Sequence, residues 1–272
     1  MRELGVRPNR ELGQNFLVDD NILDVIGRAA ELARADVVLE VGGGLGLLSE
    51  YLAARVGHLH VVEIDRSFEP LLQELVGRLQ NTTLQIADAA RLDFATLSPA
   101  PTKVVANLPY GVAATVLLKS IEELPGARLW VAMVQREVAE RLAAAPNSKT
   151  YGATSVIAQT SCEVRVLRRV SRTVFRPIPN VDSALVLLRR RGPPAAPELV
   201  ALVHAAFAHR RKTLAGSLAL AAGAADDMRE RTRAALDAEG CAPNVRAEAL
   251  SPDEFAALAE RLGDAGGGRQ DR

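Results

Sequence analysis

Residues 37–46 read VVLEVGGGLG, and this segment defines the fold class of the chain. Its β-branched residues predict a buried strand, and the glycines that follow predict a tight turn into a helix. Similar apolar runs recur at 58–64, 83–87, 103–107 and 129–135, with helical patterns between them. Strands that alternate with helices form a largely parallel sheet covered by helices on both faces. We therefore expect an α/β domain.

The composition excludes several classes of protein. The 272 residues carry 33 basic and 33 acidic side chains. No apolar run reaches the ~18 residues that a membrane span needs, and the first residues lack the apolar core of a signal peptide. Neither the two cysteines, Cys162 and Cys241, nor the four histidines show metal-site, disulfide or hydrolase spacing. We expect a cytoplasmic protein without a metal or a membrane partner.

The segments outside the sheet predict further helices. Residues 20–33 form a helical pattern, with Asp19 or Asp20 as N-cap. After the Pro- and Gly-rich segment 190–197 the pattern is helical without strands, and Ser251-Pro252-Asp253-Glu254 is a capping box. We predict two domains, residues 1–191 and a small all-helical domain at 192–272, with a disordered tail from about residue 264.

Basic residues are concentrated in the second half of the chain. A net charge of zero usually argues against nucleic acid, because phosphate contacts require Lys and Arg. Clusters of this kind are often only a solvated face, and they indicate an RNA surface only in combination with other features. The clusters are Arg165, Arg168, Arg169, Arg172 and Arg176; Arg189 to Arg191; and Arg210, Arg211 and Lys212.

Three strand ends carry residues suited to a nucleoside. The glycines from Gly42 to Gly46 open backbone amides to a ligand, although on their own they could be a plain turn. Glu63 ends the next strand, where a carboxylate can accept hydrogen bonds from two ribose hydroxyls, and Asp88 follows the third strand within reach of an adenine amino group. Leu47 replaces the last glycine of the dinucleotide pattern, which disfavours an NAD-dependent oxidoreductase.

The end of the fourth strand carries Asn107, Leu108, Pro109 and Tyr110. An adenine amino group is a poor nucleophile because its lone pair is delocalised into the ring. The Asn107 side-chain oxygen and the Leu108 carbonyl can accept its two hydrogens and localise that lone pair, while Tyr110 stacks on the base. Pro109 keeps the carbonyl exposed. An ordinary strand-end turn is the alternative interpretation of these four residues.

Taken together, these motifs resemble the small-subunit (16S) ribosomal RNA adenine N6,N6-dimethyltransferases, the family of the kasugamycin-sensitivity methyltransferase. The resemblance extends over residues 5 to 262. It rests on GQNFL (13–17), EVGGGLG (40–46), VEID (62–65), DA (88–89), NLPY (107–110), QREVAERL (135–142), SKTYG (148–152), FRPIPNVDS (175–183) and RRKTL (210–214). It implies a Rossmann-like class I methyltransferase domain that uses S-adenosylmethionine.

The resemblance also implies roles that spacing alone does not assign. Asn15 and Leu17 would close over the cofactor, completing a site made with Gly42, Glu63, Asp88 and Asn107. Phe175 would cover the adenine face opposite Tyr110, unless it is simply a core aromatic residue. The implied substrate is a pair of adjacent adenosines in a hairpin loop near the 3′ end of small-subunit RNA, within the immature 30S particle, and the enzyme would act as a monomer.

Two related interpretations remain open. The macrolide-resistance methyltransferases of large-subunit RNA share the cofactor loop, and a ribosome-assembly factor that acts mainly by binding needs the same basic surface. The chain also departs from the family pattern at Gly43, usually proline, at Gly111, often asparagine, and at Ala215-Gly216. None of these departures removes a residue assigned to the site.

Overall fold

The computed structural model describes residues 14–267. Its strands are β1 (Phe16–Leu17), β2 (Val37–Val41), β3 (His58–Glu63), β4 (Thr82–Ile86), β5 (Lys103–Asn107), β6 (Leu129–Gln135), β7 (Cys162–Val170), β8 (Phe175–Arg176) and β9 (Ser183–Arg190). Its α-helices are α1 (Asp20–Ala29), α2 (Leu47–Ala53), α3 (Glu69–Arg78), α4 (Ala113–Glu123), α5 (Arg136–Leu142), α6 (Ala153–Ser161), α7 (Pro197–Ala208), α8 (Leu214–Leu218), α9 (Met228–Ala238) and α10 (Pro252–Gly267).

A seven-stranded sheet in the order β4-β3-β2-β5-β6-β9-β7 forms the centre of the fold. Strands β2 to β6 pair in parallel, and β9 pairs antiparallel with β6. The chain reverses order at β2, which lies between β3 and β5. In such sheets, ligands bind beyond the carboxyl ends of the strands at this reversal point. β1 pairs antiparallel with β8 in a separate two-stranded sheet.

The five predicted strands are confirmed to within about one residue at each end. Helix α1 is also confirmed, and the Asp19 carboxylate accepts hydrogen bonds from the amides of Asn21 and Ile22 at 2.9 and 3.3 Å. The helix ends at Ala29 rather than at residue 33. The reason is the backbone of Glu31, which adopts a left-handed conformation with φ of +49° and cannot continue a right-handed helix.

A buried ion pair joins β5 to the segment before β2. The Lys103 ammonium lies 2.8 Å from the carboxylate of Asp36, and these two side chains are 4% and 0% exposed. Asp36 also pairs with Arg128 and accepts a hydrogen bond from the Ala33 amide at 2.8 Å. Burial alone would raise the pKa of Asp36, but Lys103 and the other partners hold it below its ordinary value.

The chain forms two compact units. Of the described residues, one unit contains 14–140 together with 163–190, and the other contains 141–162 together with 191–267. This division differs from the predicted domains in residues 141–162, because they pack with the C-terminal helices. The Tyr151 hydroxyl, for example, is buried and donates to the Leu250 carbonyl at 2.8 Å.

The second unit contains the predicted capping box. The Ser251 amide donates to the Glu254 carboxylate at 2.7 Å, and the Glu254 amide donates to the Ser251 hydroxyl at 3.2 Å, which confirms the start of α10. The helix continues to Gly267, beyond the point where we predicted the disordered tail to begin. The rest of that tail, 268–272, lies outside the described residues.

Candidate active site

The glycine loop after β2 adopts a backbone that side chains disfavour. Gly42, Gly44 and Gly46 have φ of +88°, +52° and +79°. A Cβ on Gly44 would lie 3.1 Å from the ring of Phe16, and one on Gly42 would lie 3.4 Å from the Asn107 carbonyl oxygen. The loop therefore passes close to both β1 and β5, which requires residues without side chains.

Glu63 lies at the carboxyl end of β3 with 5% of its surface exposed. One carboxylate oxygen accepts the Gly44 amide and the other accepts the Asp65 amide, both at 2.8 Å. Burial raises the pKa of Glu63, and these amides oppose the shift. The two hydrogen bonds fix the carboxylate against the glycine loop, and each oxygen keeps a lone pair for a ligand.

A central cavity brings most of the predicted site residues together. It is bounded by the glycine loop, the end of β3, the segment after β5 and the β1 segment. Predicted residues in its lining are Asn15, Leu17, Gly42, Glu63, Asn107, Leu108, Pro109 and Tyr110. The lining also includes Gln14, Phe16 and Glu40, to which sequence reasoning assigned no role.

Two further cavities share walls with the central one. A side cavity contains Asp88 and shares Gly42, Glu63 and Pro109 with the central cavity. Asp88 therefore lies in the lining of a cavity that adjoins Glu63. An outer cavity of about 570 Å³ shares Asn15 and Tyr110 with the central cavity.

The Asn-Leu-Pro-Tyr segment is held by hydrogen bonds that leave its proposed acceptors available. The Asn107 amide nitrogen donates to the Asn15 carbonyl at 3.1 Å, which leaves the side-chain oxygen on the other side of the amide. The Leu108 amide donates to the Met133 carbonyl at 3.0 Å. The hydroxyls of Tyr110 and Ser183 are 2.7 Å apart, so the Tyr110 ring is fixed at the junction of the two cavities.

Phe175 is the predicted site residue that the structure does not bring to these cavities. Its side chain is 0% exposed and belongs to the hydrophobic core with Leu17, Ile22 and Leu185. In β8 it is the register partner of Leu17 in β1, so it packs behind the segment that bounds the central cavity. Apolar side chains surround the ring, and its expected contact with an adenine opposite Tyr110 stays a prediction.

Glu40 is a cavity residue that sequence reasoning did not assign. It is fully buried, and neither carboxylate oxygen has a hydrogen-bond partner among the described residues. Burial raises the pKa of Glu40 to about 8, and the nearby Glu63 carboxylate adds to the shift. An acidic residue within the otherwise apolar run VVLEV was the available indication, because a charged residue is seldom buried without a partner.

No helix in residues 14–267 is both long and apolar enough to span a membrane. Within the same range, no three potential metal-ligating side chains of His, Cys, Asp or Glu lie together.

The parallel sheet, its glycine loop and the acidic strand ends define a Rossmann-like methyltransferase fold. A family model described as ribosomal RNA adenine dimethylase matches residues 5–264. The chain belongs to this family, and the resemblance seen in its motifs is thereby confirmed.

The relatives agree with this assignment. The chain is 44% identical over 260 residues to a ribosomal RNA small subunit methyltransferase A from Rubrobacter xylanophilus, covering 94% of this chain and 95% of the relative. It is 45% identical over 267 residues to the protein of the same name from Streptomyces coelicolor, covering 94% and 92%.

Solved structures show the same fold. A dimethyladenosine transferase from Plasmodium falciparum matches with a TM-score of 0.75 and 24% identity, covering 92% of this chain and 98% of that one. The 23S rRNA methyltransferase ErmE matches with a TM-score of 0.66 and 28% identity, covering 92% and 100%.

Proposed function

We propose that this chain transfers methyl groups from S-adenosylmethionine to N6 of two adjacent adenosines in a hairpin loop near the 3′ end of small-subunit ribosomal RNA, giving N6,N6-dimethyladenosine. The proposal rests on one observation: Asn107 and Leu108 line the same cavity as the glycine loop and Glu63. Family membership and the names of the relatives support it.

The residues of the cavity fit the methyl donor. The side-chain-free glycine loop offers room beside backbone amides, Glu63 offers lone pairs to the ribose hydroxyls, and Asp88 lies in the adjoining side cavity for the adenine amino group. Asn15 and Leu17 lie in the wall on the β1 side. When bound, S-adenosylmethionine supplies an electrophilic methyl group on a sulfonium.

The protein's part in the reaction is mainly to orient the adenine. The Asn107 side-chain oxygen and the Leu108 carbonyl accept the two N6 hydrogens, which localises the lone pair toward the central cavity. Such positioning accounts for much of the rate enhancement in a transfer between two bound groups. The methylated nitrogen is a strong acid while it carries its extra proton, so it loses that proton to water without a general base.

The target base enters through the outer cavity. Tyr110 lies at its boundary with the central cavity and is fixed by Ser183. Loop bases are already unpaired, so extruding one requires little free energy. Besides Pro177 and Pro179, the apolar side chains that line this cavity are those of Ile178 and Val181, which are 52% and 46% exposed.

An in vitro methylation assay with immature small-subunit particles and with large-subunit RNA tests the proposal. Asn107→Ala is expected to abolish methylation, whereas Asn21→Ala, at an exposed position on α1, is expected to leave it unchanged. Mass spectrometry of both ribosomal RNAs identifies the target. Undiminished methylation by Asn107→Ala, or methylation only of large-subunit RNA, would refute the proposal. We further propose that the protein acts as a cytoplasmic monomer, which sedimentation can check.

A further inference from the structure

A polar cavity lies beside the outer cavity, and the proposed reaction does not use it. This flanking cavity has a volume of about 530 Å³ and shares Gln135, Asn180 and Val181 with the outer cavity. Its volume lies in the range of about 300–1,000 Å³ that is usual for small-ligand sites. The rest of its lining is charged and consists of Arg136, Glu137, Glu140, Arg172 and Asp182. A group bound there would be next to whatever occupies the outer cavity.

The strands place the flanking cavity a short distance from the reaction site. Gln135 is the last residue of β6, and in the register of β5 and β6 Met133 is the partner of Asn107. With strands about 4.8 Å apart and a rise of about 3.3 Å per residue, the Cα atom of Gln135 lies roughly 8 Å from that of Asn107. In β9 the partner of Gln135 is Ser183, the residue that holds the Tyr110 hydroxyl. The separation of the two Cα atoms is comparable with that of neighbouring bases in an unstacked RNA strand.

Hydrogen bonds that involve the main chain hold the walls of the flanking cavity together. The Arg136 amide donates to the Asp182 carbonyl at 3.0 Å, and the Arg172 amide donates to the Asp182 carboxylate at 3.4 Å. The Arg172 guanidinium donates to the Asn180 carbonyl at 3.4 Å. The side-chain amides of Gln135 and Asn180 take no part in these bonds, and neither has a hydrogen-bond partner among the described residues. The cavity is therefore formed, and two side-chain amides in it are available to a ligand.

The charges around the flanking cavity favour a nucleobase over a phosphate group. Three of its five charged residues are acids, and the Arg136 guanidinium lies 3.7 Å from the Glu140 carboxylate. Asn and Gln side chains can make two hydrogen bonds to adenine at once, because the amide oxygen accepts from N6 while the amide nitrogen donates to N7. Carboxylates close to these amides also favour a base that presents N–H donors. The lining therefore suits the amino edge of an adenine.

We propose that the flanking cavity binds the adenine of the second adenosine while the first adenosine occupies the outer cavity, and that the side-chain amides of Asn180 and Gln135 read its amino edge. The inference rests on the proposed function, which supplies two adjacent adenosines as the substrate. No bond forms or breaks in the flanking cavity. Asn180 and Gln135 are positioning residues, which select an adenosine next to the one that is methylated.

Binding of the neighbouring base in this way sets the order of the two methylations. The RNA strand passes the site in one direction, so only one of the two adenosines, when it is the target, has the other in the flanking cavity. After dimethylation N6 carries no hydrogen, and the base can no longer donate to an amide oxygen. The adenosine that the flanking cavity holds is therefore methylated second.

Immature particles reconstituted with altered bases test the inference. Purine replaces one or the other of the two adenosines; it keeps N7, lacks the N6 amino group and cannot itself be methylated. In one of the two arrangements, we expect purine to lower the wild-type kcat/KM for the remaining adenosine by about 5- to 150-fold, which is the discrimination of one bidentate amide contact. N6,N6-dimethyladenosine at the same position is expected to have a similar effect.

Substitutions in the flanking cavity provide the other half of the experiment. Asn180→Ala combined with Gln135→Ala should lower kcat/KM by a similar factor on particles with two adenosines, and purine should then cause no further fall. The affinity for S-adenosylmethionine should stay at the wild-type value. Gln73→Ala, at an exposed position on α3, should keep both the wild-type activity and the full sensitivity to purine.

The contrary results overturn the inference. Equal activity with adenosine and purine in both arrangements would show that no neighbouring amino group is read. An undiminished effect of purine in the double variant would place the contact elsewhere, and full activity beside N6,N6-dimethyladenosine would refute the order. Absence of methylation of unaltered particles by the wild type would instead refute the proposed function. Should the double variant not fold, Asn180→Ala alone takes its place, since this residue is exposed.

Discussion

Replacement of Glu63 offers a quantitative test of the cofactor site. The carboxylate accepts the amides of Gly44 and Asp65 at 2.8 Å and is 5% exposed. Glu63→Ala removes both acceptors and leaves two backbone N–H groups without partners. At about 1–3 kcal/mol for each unsatisfied buried group, we expect the free energy of unfolding to fall by roughly 2–6 kcal/mol.

The same substitution should weaken S-adenosylmethionine binding. Charge-assisted hydrogen bonds to the ribose hydroxyls contribute about 1.5–3 kcal/mol, which corresponds to roughly a 10- to 150-fold higher Kd. Glu63→Gln keeps one acceptor and the side-chain volume, so we expect a smaller loss of stability with a comparable loss of affinity. Denaturant unfolding and calorimetry measure the two effects separately. A folded Glu63→Gln protein that binds the donor with wild-type affinity would show that the carboxylate does not hold the ribose.

Three further substitutions test other parts of the structure. Lys103→Met leaves Asp36 buried with Arg128 as its remaining cation, and we expect a loss of about 3 kcal/mol at pH 7 in denaturant unfolding. Because the folded pKa of Asp36 is lowered, the pair stabilises the protein above the unfolded pKa of about 3.9 and loses this effect as pH falls through the folded pKa. A deficit that does not shrink as the pH falls would contradict this account. Gly43→Pro restores the usual family residue and should lower the Tm, because a Cβ there would lie 2.6 Å from the Val61 side chain. An unchanged Tm would show that β3 adjusts freely. Replacing the RRK cluster (210–212) with alanine should weaken the salt dependence of RNA binding and leave donor binding intact. The slope of log K against log salt should fall by about one unit for each phosphate that the cluster neutralises. An unaltered slope would place the RNA surface elsewhere.

Much of the fold follows from local patterns. The five parallel strands have near-continuous apolar runs because both faces of the sheet are covered, and such runs are visible in the sequence. Strands β7 and β9 were not predicted. Residues 163–169 of β7 are mostly exposed and rich in arginine, so this edge strand lacks the buried pattern that identifies its neighbours. The sequence of β7 is typical of a charged surface, and in the structure this strand does form one.

The candidate site could be predicted to the extent that it depends on strand ends. Gly42, Glu63 and Asn107 were expected to meet because the carboxyl ends of parallel strands share one edge of the sheet, and the structure places all three in one cavity. Phe175 and Glu40 could not be assigned in this way. Whether a side chain faces the core or a cavity depends on which segment packs against it.

The amino-acid sequence by itself determined the class of fold, the positions of the turns that carry the site, and the family. Each of these follows from residue type and spacing along the chain. Only the tertiary structure decided that the ring of Phe175 packs in the core behind β1 and that Glu40 is enclosed without a hydrogen-bond partner. Burial and the loss of solvent depend on contacts between segments far apart in sequence, and no local pattern contains them.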